Sequence, residues 1–190
     1  MTREEALKLV QEKAPSPELI RHMQAVAAIM EGLAGRLGED TDRWYLAGLL
    51  HDIDYEETKD DPDRHSILGA EMLAALGLDR EIVYAVRAHG RHEDTIPRLS
   101  CLDKALCAAD GLSGLITAAA YVMPSHTLAE VQVKTIKKKF KDKAFARGAD
   151  REEIRTCEEI GLSLEEFFGV ALEALQRDAR PQAAIPLGLE

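Results

Sequence analysis

Between residues 19 and 37 the apolar side chains Leu19, Met23, Val26, Met30, Leu33 and Leu37 recur at steps of three and four, the spacing of one helix face. Ser16 followed by Pro17 supplies an N-cap and a first-position proline for that helix, and Gly38 supplies its stop. Similar punctuation divides the rest of the chain. Thr2 with Glu5 makes a capping box for a short first helix. Asp40 or Thr41 opens a helix carrying Trp44, Leu46, Ala47, Leu49 and Leu50, which runs into His51-Asp52-Ile53-Asp54. The charged stretch from Tyr55 to Arg64, with Pro62, reads as a loop. Further helices are predicted from near Ser66 to Gly77, from about Asp79 to His89, and from Ser100 with Asp103 to just before Pro124. Residues 91–99, with Pro97, read as a loop.

After Ser125 the character changes. Lys134, Lys137, Lys138, Lys139, Lys141 and Lys143 form a basic run that Gly148 interrupts. Asp150 with Glu153, and Ser163 with Glu166, mark two closing helices. Residues 180–190 hold two prolines and a glycine and are expected to be a disordered tail. The expected fold is all-α: a first helix (1–15), a helical core (16–123), a C-terminal helical extension (124–179) and the tail.

Composition agrees with this pattern. Aromatics are 5% of the chain, too few for strand-rich architecture, while 46% hydrophobic and 31% charged residues fit a soluble globular domain. A length of 190 residues suits one domain. The net charge of -10 argues against extended nucleic acid or an anionic membrane as partner, because the phosphates would repel it. A small anionic substrate remains compatible if local cations offset the field, and a homo-oligomer is left open. Three cysteines without a CxxC suggest free thiols in a reducing cytoplasm, and the amino terminus lacks the apolar stretch of a signal peptide. Ala105 to Met123 carries one formal charge, Asp110, and lacks an aromatic belt or flanking basic pair. It reads as a buried core helix rather than a membrane span.

That charge is the sharpest chemical signal. Asp110 shares a helix face with Leu106 and Cys107, and a buried ionised carboxylate needs a cation, whether a metal or a lysine or arginine from another helix. His51 and Asp52 close the apolar run 46–50, where a carboxylate meets the unfavourable end of the helix dipole. His22 borders the apolar stripe of its helix, and His89 lies three after Val86 and seven after Ile82. His65 stands just before a helix. Taken singly, each histidine reads equally as a structural residue bonded to a carbonyl. His92 and His126 read as surface residues, and Glu18, one turn before His22, is a candidate extra ligand.

Taken together, the order His, His-Asp, His, His, Asp resembles the HD-domain superfamily of metal-dependent phosphohydrolases, in its HDIG-like form. The resemblance runs from about Ser16 to Ala120 and rests on His22, "LAGLLHDID", "RHSILGAEML", "AVRAHG" and "AADGL". The segment 124–148 is similar to the tail of a bacterial subgroup of these proteins. The resemblance implies an HD-domain helical bundle with extra C-terminal helices. It implies that His22, His51, Asp52 and Asp110 hold a first divalent metal, and that Asp52 bridges to a second held by His65 and His89. Manganese, iron, zinc, cobalt and nickel all suit such ligands. Two departures stand out. Asp54 and Tyr55 replace the Gly-Lys of many HDIG relatives, which removes that lysine's phosphate contact. Gly90 follows His89 where the HD-GYP group has a second histidine, so cyclic-di-GMP hydrolysis is not expected.

The implied activity is hydrolysis of a phosphate ester, of a nucleotide or another small phosphorylated metabolite, by a metal-activated water. Lys59 and Arg64 are candidates to bind substrate phosphate, Lys104 is a further catalytic candidate, and Asp54 could protonate the leaving group. Each of these four also reads as an ordinary surface charge. Two other functions fit the same ligand order: a diiron oxygenase, and a non-catalytic sensor that binds a nucleotide at the metal.

Overall fold

A computed structural model describes residues 1–90, 92 and 95–178. Among them there is no strand. Helix α1 spans Arg3–Lys13, α2 Pro17–Leu37, α3 Thr41–Leu50, α4 Tyr55–Thr58, α5 Ile67–Ala75, α6 Arg80–His89 and α7 Cys101–Tyr121. A 3-10 turn at Leu128–Glu130 leads to α8, Val133–Lys141. Helix α9, Arg151–Arg155, continues into a 3-10 helix at Thr156–Ile160, and α10 spans Leu164–Asp178.

The starts of these helices follow from their side chains. Thr2 and Glu5 form both bonds of a capping box, as do Ser100 and Asp103. Ser16, Asp40, Asp79 and Asp150 each accept a backbone N–H of the first turn that follows. Gly38 ends α2 at φ 78, where L side chains are disfavoured. The stretch from Tyr55 to Arg64 differs from a plain loop, because the Asp54 carbonyl accepts from Glu57 and Thr58 and winds α4. The expected tail at 180–190 lies outside the described residues.

Helix α2 packs against α3, α7 and α10, while α7 also meets α6, α8 and α9, so these two helices form the axis of the molecule. Met23, Val26, Met30 and Leu33 of the α2 stripe are fully buried. Each such side chain contributes about 1.5–3 kcal/mol by leaving water. Helix α3 lies unusually close to α2 at Gly48, where a Cβ would stand 2.8 Å from the Ala27 Cα and 2.9 Å from its nitrogen. Only glycine permits that approach, and it carries the end of α3 toward His22. Residues of α1, α8 and α10 join the same core. No described helix is long and apolar enough to cross a membrane.

Candidate metal centre

Six side chains from separate parts of the chain meet at one end of the α2–α7 axis. His22 comes from the second turn of α2 and Asp110 from the middle of α7. His51 and Asp52 follow α3, His65 precedes α5, and His89 ends α6. On one side, His22 Nε2 lies 3.1 Å from His51 Nε2, 3.1 Å from Asp110 Oδ1 and 3.6 Å from Asp52 Oδ2. His51 Nε2 lies 3.4 Å from the same Asp52 oxygen and 3.8 Å from Asp110 Oδ1. On the other side, Asp52 Oδ1 lies 3.3 Å from both His65 Nε2 and His89 Nε2. One carboxylate thus faces two separate ligand groups, one through each oxygen.

The opposite nitrogen of every ring is anchored. His51 and His89 sit at helix C-termini, where the last carbonyls have no intrahelical partner. Their Nδ1–H groups donate to the Gly48 and Val86 carbonyls at 2.8 and 2.6 Å. Ser113 spends its hydroxyl proton on the Asp110 carbonyl at 2.9 Å, so its oxygen is free to accept from His22 Nδ1 at 3.3 Å. His65 Nδ1 lies 3.1 Å from Asp54 Oδ1 and 3.4 Å from the Thr58 hydroxyl. These bonds place the ring proton on Nδ1 in all four imidazoles and aim every Nε2 lone pair at the centre.

That arrangement fits a cation. Four nitrogen lone pairs and the oxygens of two carboxylates converge at 3.1–3.8 Å, which is repulsive unless protons or metal ions lie among them. Protons answer the demand when no metal does. Burial pulls the His51 imidazole down, but the charge and hydrogen bond of Asp52 and the charge of Asp110 push it up to about 9. Burial also opposes protonation of His65, yet hydrogen bonds to Asp52 and Asp54 lift it to about 10. Burial raises Asp52, and the charge of His51 with hydrogen bonds from His51, His65 and His89 overcomes it, leaving the group well below the usual carboxylate range. Asp110 is likewise raised by burial and lowered further by its bond to His22 and the charge of His51.

The supporting residues differ from expectation. Asp54 is fully buried behind His65, where its Oδ2 accepts the Gly69 N–H at 2.9 Å and its Oδ1 faces His65 Nδ1 at 3.1 Å. A carboxylate so placed cannot reach a leaving group, so the role of general acid is withdrawn in favour of orienting His65. Lys104 pairs with Glu159 at 3.0 Å, and Lys59 pairs with Glu56 at 3.2 Å; neither lines the site. Glu18 bonds to Ser16 and Arg21 on the surface and is not a ligand. Arg64 is exposed beside His65.

Beside the cluster opens a cavity of about 740 Å³. His22, His65, His89 and Asp110 line it, opposite Ala146, Gly148, Ala149 and Glu153 of the C-terminal extension. His92 lines it too and donates from Nε2 to the His65 carbonyl at 3.1 Å, so its reading as a surface residue is corrected. Its place three residues after His89 was the only sequence signal for it. Ser66, between His65 and α5, adopts φ 69 while its buried hydroxyl donates to the Arg87 carbonyl at 3.0 Å. This strained residue ties the His65 backbone to α6.

Residues 19–115 match the HD domain family, and the chain belongs to it. Ribonuclease Y of Oleidesulfovibrio alaskensis is 37% identical over 99 residues, 52% of this chain and 18% of that protein. Ribonuclease Y of Desulfotalea psychrophila is 34% identical over 137 residues, 70% of this chain and 26% of its own length. The chain therefore spans only a small part of these relatives. The crystal structure of the L. monocytogenes phosphodiesterase PgpH HD domain shares the fold, with a TM-score of 0.56 at 17% identity over 92% of this chain and 99% of that one.

Proposed function

We propose that this protein hydrolyses a phosphate ester, of a nucleotide or another small phosphorylated metabolite, with one or two divalent transition-metal ions as cofactor. The observation that carries this reading is the Asp52 carboxylate, whose two oxygens face two histidine pairs at 3.3–3.6 Å. His22, His51, Asp52 and Asp110 would hold one ion, and Asp52, His65 and His89 the other. Bound there, the metal supplies Lewis acidity and a water acidified toward neutrality.

The chain's own groups do the rest. Gly48, Val86, Ser113 and Asp54 fix the four rings, so the ligands need little reorganisation. The flanking cavity has the volume of a typical nucleotide-sized ligand site. Arg64, exposed next to His65, is the better placed of the two loop cations to meet substrate phosphate. The names of the relatives, a ribonuclease and a phosphodiesterase, support a phosphodiester between nucleosides as the bond to try first. The structure titled as a complex of that PgpH domain with cyclic-di-AMP supports a small ligand.

The direct test is a Mn²⁺-supplemented screen of dinucleotides, cyclic nucleotides, nucleoside triphosphates and phosphomonoesters, run with and without oxygen. Turnover under anaerobic conditions is expected, and Asp52→Ala should lose both metal and turnover while keeping its helical content. Full metal occupancy and turnover in Asp52→Ala would refute the site. Activity that needs dioxygen would favour the diiron oxygenase instead, and tight nucleotide binding without turnover the sensor.

A further inference from the structure

The C-terminal extension reaches back over the metal cluster. Gly111 follows Asp110 on α7, and a Cβ there would lie 3.2 Å from Ile154 and 3.5 Å from the Asp150 carbonyl. The missing side chain lets the start of α9 settle against α7 one residue from a ligand. The segment joining α8 to α9 then forms a wall of the cavity through Ala146, Gly148 and Ala149.

This wall has little core of its own. Its residues are exposed except for the partly buried Phe145, Ala146 and Ala149, and Ala146 adopts φ 45. Arg151 supplies what packing does not. Its guanidinium donates to the carbonyls of Lys139, Phe140, Asp142, Phe145, Ala146 and Ala149 at 2.5–3.4 Å. Among the described residues no carboxylate pairs with it. A planar fork with five N–H donors reaches these six acceptors with one Nη2 proton shared between two carbonyls, whereas a lysine has three donors on one atom.

Between Ala146 and Gly148 the wall carries Arg147, which is exposed and has no hydrogen bond or ion pair among the described residues. The described lining of the cavity includes three carboxylates, Asp63, Asp110 and Glu153, and no lysine or arginine. Asp110 belongs to the metal cluster and Glu153 pairs with Arg98 at 3.4 Å, so Asp63 is the carboxylate that an anionic ligand extending beyond the metals would meet, and a cation at the rim would offset it. Arg147 is not among the lining residues, but it stands in the chain between two that are, Ala146 and Gly148.

We infer that Arg151 is a positioning residue that shapes segment 142–150 into the substrate-recognition wall of the metal cavity, and that Arg147 on this wall binds a second phosphate of the substrate. The second half rests on the phosphate-ester reading above. The ordering by Arg151 does not.

Two measurements on the full chain loaded with Mn²⁺ test it. Trypsin cleavage after Lys143 and Arg147 should be slow in the native protein. It should be roughly tenfold faster in both Arg151→Gln and Arg151→Lys, because the fork and not the charge holds the wall. Helical content and Mn²⁺ affinity should hold, and KM for thymidine 5′-(p-nitrophenyl phosphate) should rise more than kcat falls. For Arg147→Ala, the same ester carrying an added 3′-phosphate should lose roughly fivefold to tenfold more in KM than the ester without it. Native cleavage rates in both Arg151 variants would overturn the positioning role. Equal KM changes on the two esters would overturn the phosphate contact. If the native protein turns over neither ester, the hydrolase reading fails by itself. Trypsin still reports on Arg151, and calorimetric binding of the two esters still reports on Arg147.

Discussion

Asp54 stands 3.1 Å from His65 on the side of the ring opposite the Asp52 carboxylate, so one imidazole is gripped between two acids. The inner acid belongs to the metal cluster. The outer one is buried and fixed by the Gly69 amide, and its charge keeps the ring proton on Nδ1. Asp54→Asn keeps the shape and removes the charge. We expect roughly 10- to 100-fold weaker metal binding at the His65–His89 side, the usual cost of losing such an outer-shell partner. Metal titration followed by circular dichroism checks this. Unchanged affinity would mean that Asp54 is only a structural acid.

His22 is held by a neutral partner instead. Ser113 offers an oxygen to Nδ1 at 3.3 Å, with no charge behind it. Ser113→Ala should therefore weaken metal binding by less than Asp54→Asn, by roughly threefold to tenfold, since a neutral hydrogen bond contributes about 1 kcal/mol. The ranking of the two variants in one competitive metal assay is the test, and the reverse order would contradict the assigned partners.

Gly48 makes a prediction about the fold. A Cβ at this position meets the backbone of Ala27 at 2.8–2.9 Å, and backbone cannot turn aside. Gly48→Ala gains about 1 kcal/mol in helix propensity but forces α3 away from α2, an overpacking cost of about 1–3 kcal/mol or more. A net loss of thermal stability is expected, together with weaker metal binding, because His51 moves with α3. A calorimetric scan showing a gain in Tm would mean that the close approach is not rigid.

The amphipathic stripe of α2, the capping pairs and the lone charge of α7 were legible in the chain, because each is a local pattern. The members of the cluster, His22, His51, Asp52, His65, His89 and Asp110, were legible through the resemblance of their joint order to the HD superfamily, since singly each histidine read as well as a structural residue. What the sequence hid is long-range. Nothing near Asp54 shows that Gly69, fifteen residues on, will turn it inward rather than toward a substrate. Lys104 shares α7 with Asp110 but spends its charge on Glu159, a partner that only the folded extension supplies. The cavity wall at 146–149 lies far along the chain from every ligand, and Arg151 reads from sequence as an ordinary first-turn residue of α9.

Proton and metal should compete for the same lone pairs. With both imidazoles above their ordinary 6.5, at about 9 for His51 and about 10 for His65, their ion pairs with Asp52 stabilise the metal-free fold fully below pH 6.5. That contribution is lost as pH rises through 9 to 10. Asp52 and Asp110, both depressed, contribute above the ordinary carboxylate value and lose it on acidification. The cluster therefore favours the metal-free fold most between about pH 4 and 6.5. Metal entry at pH 7 must expel these protons, so binding should release about two per fully loaded cluster and strengthen from pH 6 to 8. Calorimetric titrations of Mn²⁺ in buffers of differing ionisation enthalpy measure the release directly. Over the same range the Tm of chelator-treated protein should decline while that of loaded protein holds. Binding without proton release would show that His51 and His65 are already neutral, and that the acids around them carry the protons instead.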